Sequence, residues 1–292
     1  MTELNPALEA IAHDTTLPVV TVCEVLDVSR SAYYDWLNRV PGVREHELQD
    51  LTPTIVEIFL HHRRRYGARR IADELKDRNI VCSAKRVAQV LRNQGLRAIQ
   101  PKSFVPKTTD SRHGLGFSPN LVIEADEPTA VHQLWVGDIT YLALRGGGFA
   151  YLAALMDRYS RDLLAWAIED TMGEPLVLGV LRHAIREHQP KAGLIHHTDR
   201  GGQYAGTQYR AVLRRAGMKQ SMSRPDNCYD NAFMESCWGT LKRELAMTEY
   251  ESTAAARTIV AEYVRYYRFE RKHSSIGYLT PHQFATRNRT QK

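Results

Sequence analysis

The sequence predicts an α/β core preceded by small all-α helix-turn-helix modules, and three observations lead there. Apolar, strand-like runs at 134–144, 149–157 and 162–168 follow one another across short connections, then give way to alternating helix and strand. The first hundred residues show helical periodicity alone, punctuated by cap and turn residues. Positive charge is concentrated, since 61–104 hold 12 Lys or Arg against 3 Asp or Glu in a chain whose net charge is +6.

Within 1–44, Val19, Val20, Val22, Cys23, Val25 and Leu26 supply an apolar helical face. Val28-Ser29 makes a turn with Ser29 as N-cap, and Ala32 to Leu37 forms the next helix, a short helix-turn-helix with Arg30, Ser31, Tyr34 and Arg39 as groove-facing candidates. A plain helical hairpin has the same pattern. Residues 45–99 make a stronger case for a basic helix-turn-helix DNA-binding domain. Pro53 reads as the first turn of a helix running through Phe59, Tyr66-Gly67 interrupts it, Ala68 to Arg78 forms a second, and Ser83 caps a third that stops before Gly95. On that third helix Val87, Val90 and Leu91 share one face. Lys85, Gln89 and Arg92, with Arg86 beside them, present another to phosphates or base edges. Arg63, Arg64, Arg65, Arg69 and Arg70 read as phosphate clamps that position without reading sequence. A solvated basic face is the alternative.

Residues 100–133, with Pro101, Pro106, Pro119 and Pro128 and no sustained periodicity, read as a flexible linker. The core spans 134–248. After its three strands come an amphipathic helix from Pro175 to His188, a strand at 193–197, a helix at 207–216 and a last strand at 219–222. Residues 223–229 have the composition of a mobile loop over a site. A C-terminal region, 249–292, opens with a helix from Thr253 to Arg268 and continues into the basic loop Arg271-Lys272-His273. That loop is expected to pack on the core first and to touch DNA second.

Three carboxylates organise this core. Asp138 interrupts a β-prone apolar run where a surface charge is out of place, and Asp199 closes a short strand before Arg200-Gly201-Gly202, at the strand edge where open α/β sheets bind ligands. Glu235 falls in a helical pattern that starts after Asp230 as N-cap and runs through Phe233, Met234, Trp238, Leu241 and Leu245. Converging carboxylates repel one another unless cations lie between them. Mg²⁺ takes one or two carboxylates per ion and leaves positions for water and phosphate, and two ions about 3.5–4 Å apart can serve both oxygens of an in-line phosphoryl displacement. His197 is a candidate proton relay or extra ligand, although a histidine at a strand end is commonly structural.

The motifs around these residues resemble the insertion-sequence transposases of the second-reading-frame (OrfB) type, which share the retroviral integrase catalytic core. They are Trp135 with Asp138-Ile139-Thr140-Tyr141; His197-Thr198-Asp199 with Gly201, Gln203 and Tyr204; Asp230-Asn231-Ala232 with Glu235-Ser236; Leu241-Lys242; and His273-Ser274 with Gly277-Tyr278 and Pro281. The resemblance covers about Val22 to Phe284. It implies an RNase H-like integrase catalytic core, a mixed five-stranded sheet with flanking helices, and a DDE transposase/integrase that cleaves and joins DNA at the ends of a mobile element. It maps the catalytic and metal-binding triad onto Asp138, Asp199 and Glu235, with two Mg²⁺ ions that Mn²⁺ can replace. It also implies DNA contacts near the site from Asn231, Lys242, Gln203 and Tyr204, double-stranded DNA ends and target as partners, a homo-oligomer on DNA, and an upstream-frame product as partner or fusion. Two other functions stand beside it: a catalytically silent, sequence-specific DNA-binding regulator that keeps the fold, against which the intact triad argues, and a nuclease that cuts without joining and shares every catalytic residue.

Composition narrows the classes further. A pI near 9.1 suits a polyanionic partner. Cys23, Cys82, Cys228 and Cys237 form no paired zinc-ligand spacing and read as reduced thiols of a cytosol; the resemblance implies a bacterial cytoplasm and a nucleoid-associated protein. Residues 1–14 lack the basic start and apolar stretch of a signal peptide, and no apolar run is long enough to span a membrane.

Overall fold

The computed structural model describes residues 17–38, 40, 42–100, 116–123, 125–224, 231–245 and 249–287. Arg39, Asp230, Cys228, residues 1–14, 101–115 and the expected loop at 225–229 lie outside them. The chain divides into two compact units, 1–57 and 58–292.

In the first unit, α1 (Val19–Leu26) and α2 (Arg30–Leu37) enclose a small core of Val22, Cys23 and Tyr33, flanked by Val19, Leu26, Val28 and Trp36. The Ser29 side chain accepts from the Ala32 amide at 3.2 Å, so the expected N-cap is present. Helix α3 (Val43–His61) begins in this unit and ends in the second. It differs from the sequence reading, because Pro53 lies inside the helix and does not open it. Proline removes one backbone donor there; the turn before it already holds the Thr52 hydroxyl on the Leu48 carbonyl at 2.8 Å.

The second unit opens with the end of α3, then α4 (Ala68–Asp77) and α5 (Ala84–Asn93). Ile58, Phe59, Tyr66, Ile71, Leu75, Val87 and Val90 are buried there. Ser83 caps α5, and Gly95 just beyond it takes a left-handed φ of +63°, the backbone state that ends helices cheaply at glycine.

The sheet comprises β1 (Leu134–Ala143), β2 (Phe149–Asp157), β3 (Leu163–Glu169), β4 (Ile195–Thr198) and β5 (Lys219–Met222) in the order β3-β2-β1-β4-β5. The first three pair antiparallel, while β1–β4 and β4–β5 are parallel. Glycines 146–148, all at positive φ, turn β1 into β2. Helices α6 (Glu174–His188), α7 (Gly202–Ala205) and α8 (Thr207–Arg215) supply Leu176, Val177, Leu181, Tyr204, Tyr209 and Leu213 to a core that also takes Trp135, Ile139, Ala153 and Leu155 from the sheet. Side chains alternate along a strand, so Leu134, Val136, Asp138 and Thr140 point to the opposite face. There α9 (Ala232–Leu245) packs on β1 and α10 (Thr253–Phe269) on β3, followed by a 3₁₀ turn and α11 (Pro281–Arg287). This is the mixed five-stranded, RNase H-like arrangement expected from the sequence.

Part of the expected linker is held in place. The Met222 amide donates to the Pro119 carbonyl, the Leu121 amide to Ser221 Oγ at 2.9 Å, and Ser118 Oγ to Gln220 Oε1 at 2.8 Å, so 118–121 run along edge strand β5. That edge is thereby covered, which sheet edges need.

Candidate active site

Asp138 sits in the middle of β1, and its neighbours explain its place. β1 and β4 pair in parallel as Leu134↔Ile195, Trp135↔His196 and Val136↔His197. Continuing the same register past the end of β4 brings Asp138 level with Asp199. Laterally adjacent residues of parallel strands project from the same face, about 4.8 Å apart at the backbone, so the two aspartates stand side by side. Gly137 makes this approach possible, because a Cβ there would meet Leu155 Cδ2 at 2.8 Å and His196 Cε1 at 3.1 Å.

Helix α9 closes over this pair. Its start is fixed by Phe233, whose ring lies under the guanidinium groups of Arg158 and Arg161 at 3.3 and 4.0 Å. Asn231 donates from Nδ2 to the Gly137 carbonyl at 3.3 Å, and Trp238 donates its indole N–H to Asp138 Oδ2 at 2.9 Å. Glu235 lies in the first turn, exposed, on the same helix. The charges register one another. Asp138 is pushed up to about 8, chiefly by burial and then by Asp199, with a smaller push from Glu235, against the stabilising Ile139 amide and Trp238 indole. Partial desolvation also raises Glu235. The backbone amide of Gly201 donates to Asp199 Oδ1 at 2.9 Å, which orients the second carboxylate. Among the described residues, no group of three or more His, Cys, Asp or Glu side chains is close enough together to hold a metal ion in this conformation.

The other residues singled out in the sequence separate into two groups. Lys242 stays beside the site, its amine 4.6 Å from the centre of the Tyr141 ring; burial lowers its pKa and the Asp138 charge works against that. Gln203 is half-buried, with its amide folded over Gly201. Asn231 and Tyr204 correct the expectation of direct DNA contact. Asn231 is 5% exposed and ties α9 to β1, and Tyr204 is 2% exposed in the core, behind the aspartates whose charge raises its hydroxyl pKa further after burial. His197 shares hydrogen bonds with Ser221 Oγ at 2.8 Å and Ser223 Oγ at 3.2 Å and so joins β4 to the end of β5.

In the basic module, Arg69, Lys85, Gln89 and Arg92 are exposed, and Arg86 is half-buried. Arg63 pairs with Glu262 at 2.5 Å and Arg64 donates to the Arg97 carbonyl at 3.3 Å; both remain exposed. Arg65 and Arg70 correct the phosphate-clamp expectation, because their guanidinium groups turn inward. Arg65 Nε donates to the Glu244 carbonyl at 3.2 Å with its guanidinium over the Tyr266 ring at 4.6 Å, and Arg70 lies 4.0 Å from the Glu244 carboxylate. Arg271 and Lys272, offered second as DNA contacts, are 3% and 6% exposed and neutralised by Glu244 and by Asp73, Glu74 and Asp77. Trp238 went unread in the sequence as a functional residue. Its signal was available, for a tryptophan three positions after Glu235 shares that helix face and needs a partner for its N–H.

Comparison with known proteins agrees with this geometry. Two models described as integrase core domain match residues 128–228 and 216–281, and one described as HTH-like domain matches 45–104. Together with the sheet, they define a DNA transposase/integrase, a polynucleotidyl transferase with a helix-turn-helix-like DNA-binding region. The chain is 39% identical over 265 residues to the insertion element IS600 uncharacterized 31 kDa protein of Shigella sonnei, covering 90% of this chain and 97% of that one. It is 36% identical over 280 residues to the transposase InsF for insertion sequence IS3A of Escherichia coli (strain K12), covering 94% and 96%. The chain belongs to the IS3-family insertion-sequence transposases. Among solved structures, the HTLV-2 integrase catalytic core domain in complex with magnesium is similar at 14% identity and a TM-score of 0.43, covering 54% of this chain and 98% of that one.

Proposed function

We propose that Asp138, Asp199 and Glu235 are the catalytic carboxylates, that they hold divalent metal, and that the chain cleaves and joins DNA at the ends of its own mobile element. The observation that carries this reading is the side-by-side register of Asp138 and Asp199, with Asp138 buried against a like charge. Two side-by-side carboxylates are the hard-oxygen donor set that Mg²⁺ prefers, with Mn²⁺ as a substitute, and Glu235 one helix turn before Trp238 supplies the third. Two such ions, when bound, activate the attacking oxygen and stabilise the leaving one.

The protein's own residues do the positioning. Trp238 and the Ile139 amide favour the ionised form of Asp138 against burial and the Asp199 charge, and the Gly201 amide orients Asp199. Lys242, roughly two turns beyond Glu235, supplies a flexible positive charge for a DNA phosphate. Arg69, Lys85, Gln89 and Arg92 form the exposed DNA-facing side of the module, with Arg63, Arg64 and Arg86 at its margin. The same reading has the chain act as a homo-oligomer on double-stranded ends and target, in a bacterial cytoplasm on the nucleoid. An upstream-frame product, as partner or fusion, would add further DNA binding.

The test incubates the chain with the terminal sequences of its element and Mg²⁺. Cleaved ends and strand-transfer products are expected, and Asp138→Asn, Asp199→Asn and Glu235→Gln should yield neither while still binding DNA. Cleavage without joined product would reduce the activity to that of a nuclease. Robust activity in any of the three variants would remove that residue from the mechanism.

A further inference from the structure

Helix α9 carries Glu235 in its first turn and Glu244 in its last. A carboxylate is unfavourable at a helix C-terminus, where the carbonyl ends already concentrate negative charge. Glu244 is nevertheless 5% exposed, and the surrounding cations account for it. Arg271 donates from Nε to Oε2 at 2.9 Å and from a terminal nitrogen to Oε1 at 2.7 Å, and Tyr263 donates its hydroxyl to Oε2 at 3.1 Å. Arg65 reaches the Glu244 backbone carbonyl, capping the helix end, while its guanidinium spans the Tyr263 and Tyr266 rings at 5.2 and 4.6 Å. Arg70 completes the set at 4.0 Å, under its own contact with the Tyr66 ring at 5.6 Å. Arg65 and Arg70 belong to the basic module, Arg271 to the C-terminal loop.

We infer that Arg65, Arg70 and Arg271 form a tripod on Glu244 that sets the axial position and rotation of α9, making Arg65 and Arg70 positioning residues for Glu235 and not DNA contacts. The inference rests on the reading of Glu235 as a catalytic carboxylate. It connects the DNA-binding module to the site by a physical route. Any shift of the loop that carries Arg65 is transmitted along one rigid helix, whose other end is held by Phe233 and Asn231. Within about 13 Å of helix, at 1.5 Å per residue, there is no joint to absorb it.

The decisive variant is Arg65→Lys. A lysine keeps the positive charge that a phosphate contact needs, but it cannot span two aromatic rings while donating to a carbonyl in a fixed plane. Measured with end DNA at saturation, Arg65→Lys is expected to lower single-turnover cleavage by about tenfold to a hundredfold. The Mn²⁺ or Mg²⁺ concentration for half-maximal cleavage should rise about tenfold. Its DNA affinity and salt slope should stay those of the wild type. Arg69→Ala, exposed on the same module, should weaken binding and lower the salt slope by about one.

Wild-type cleavage in Arg65→Lys overturns the tripod, and so does a loss of cleavage matched by a loss of DNA affinity or of folded protein in a melting curve. Glu235→Gln is run alongside. Full activity there would defeat the catalytic reading itself, whereas an inactive Glu235→Gln beside an unaffected Arg65→Lys would defeat the tripod alone.

Discussion

Asp138 and Glu244 are both carboxylates that α9 helps to enclose, and they are balanced in opposite ways. Glu244 has a bidentate arginine, a tyrosine hydroxyl and a further arginine about its side chain, and Arg271 is in return held more firmly protonated than a free guanidinium. Asp138 has one indole N–H and one backbone amide, and it faces Asp199. A buried charge that serves structure is neutralised by the protein. One that the proposed function keeps for metal and substrate is left in deficit, to be balanced by what binds.

That contrast can be broken most forcefully by neutralising each carboxylate. Asp138→Asn should abolish cleavage and joining and leave the metal-free protein at least as stable as before, since the amide carries no charge to be buried beside Asp199. Glu244→Gln should cost about 3 kcal/mol in denaturant unfolding, because it leaves Arg271 buried and uncompensated. If Asp138→Asn proved the less stable of the two, the division into functional and structural carboxylates would fail.

Removing the partners tests the same idea from outside. A chain beginning at residue 119 lacks His62, Arg65, Tyr66 and Arg70, which contact Tyr266, Glu244, Glu270 and Lys272. It should melt well below the full chain; an unchanged melting temperature would show that the module is not needed to complete the core. Trp238→Phe sharpens the other half. Loss of the indole donor should raise Asp138 further and move the alkaline-favoured side of the cleavage pH profile upward, with about a tenfold loss of rate at neutral pH.

The last test is in pH dependence. His62 and His196 are lowered to about 3 and His273 to about 2, mainly by burial. Each stays neutral in the fold while the unfolded chain takes up a proton below about 6.5, so stability is complete above that pH and declines as pH falls toward 3. The slope should approach about 1.4 kcal/mol per pH unit for each histidine. Unfolding titrations at pH 7.5, 6 and 5 would measure it, and a flat profile would contradict the burial of these rings as neutral groups.

The elements were legible where their causes are local. Ser29 and Ser83 announce their helices by capping, the glycines at 146–148 announce a hairpin, and Lys219 to Met222 was read with the bounds the structure gives. The aspartates were legible because a charge amid β-prone apolar residues is conspicuous. Pro53 misled, since proline is common at helix starts and a continuous α3 is decided by what surrounds it. The direction of the arginines was also hidden. Nothing near Arg65 in the sequence distinguishes it from Arg69; only its contact with Glu244, 179 positions away, turns it inward.

Tyr66 donates to the Glu270 carbonyl and accepts from the Lys272 amide, so it is completed by residues more than two hundred positions later. During synthesis this joint cannot close until residue 272 has left the ribosome, by which time both aspartates and the helix of Glu235 have long been exposed. The end of that helix is anchored to Arg65 only after the helix itself has been made, and the order of translation places the Tyr66 joint later still, after both aspartates and Glu235.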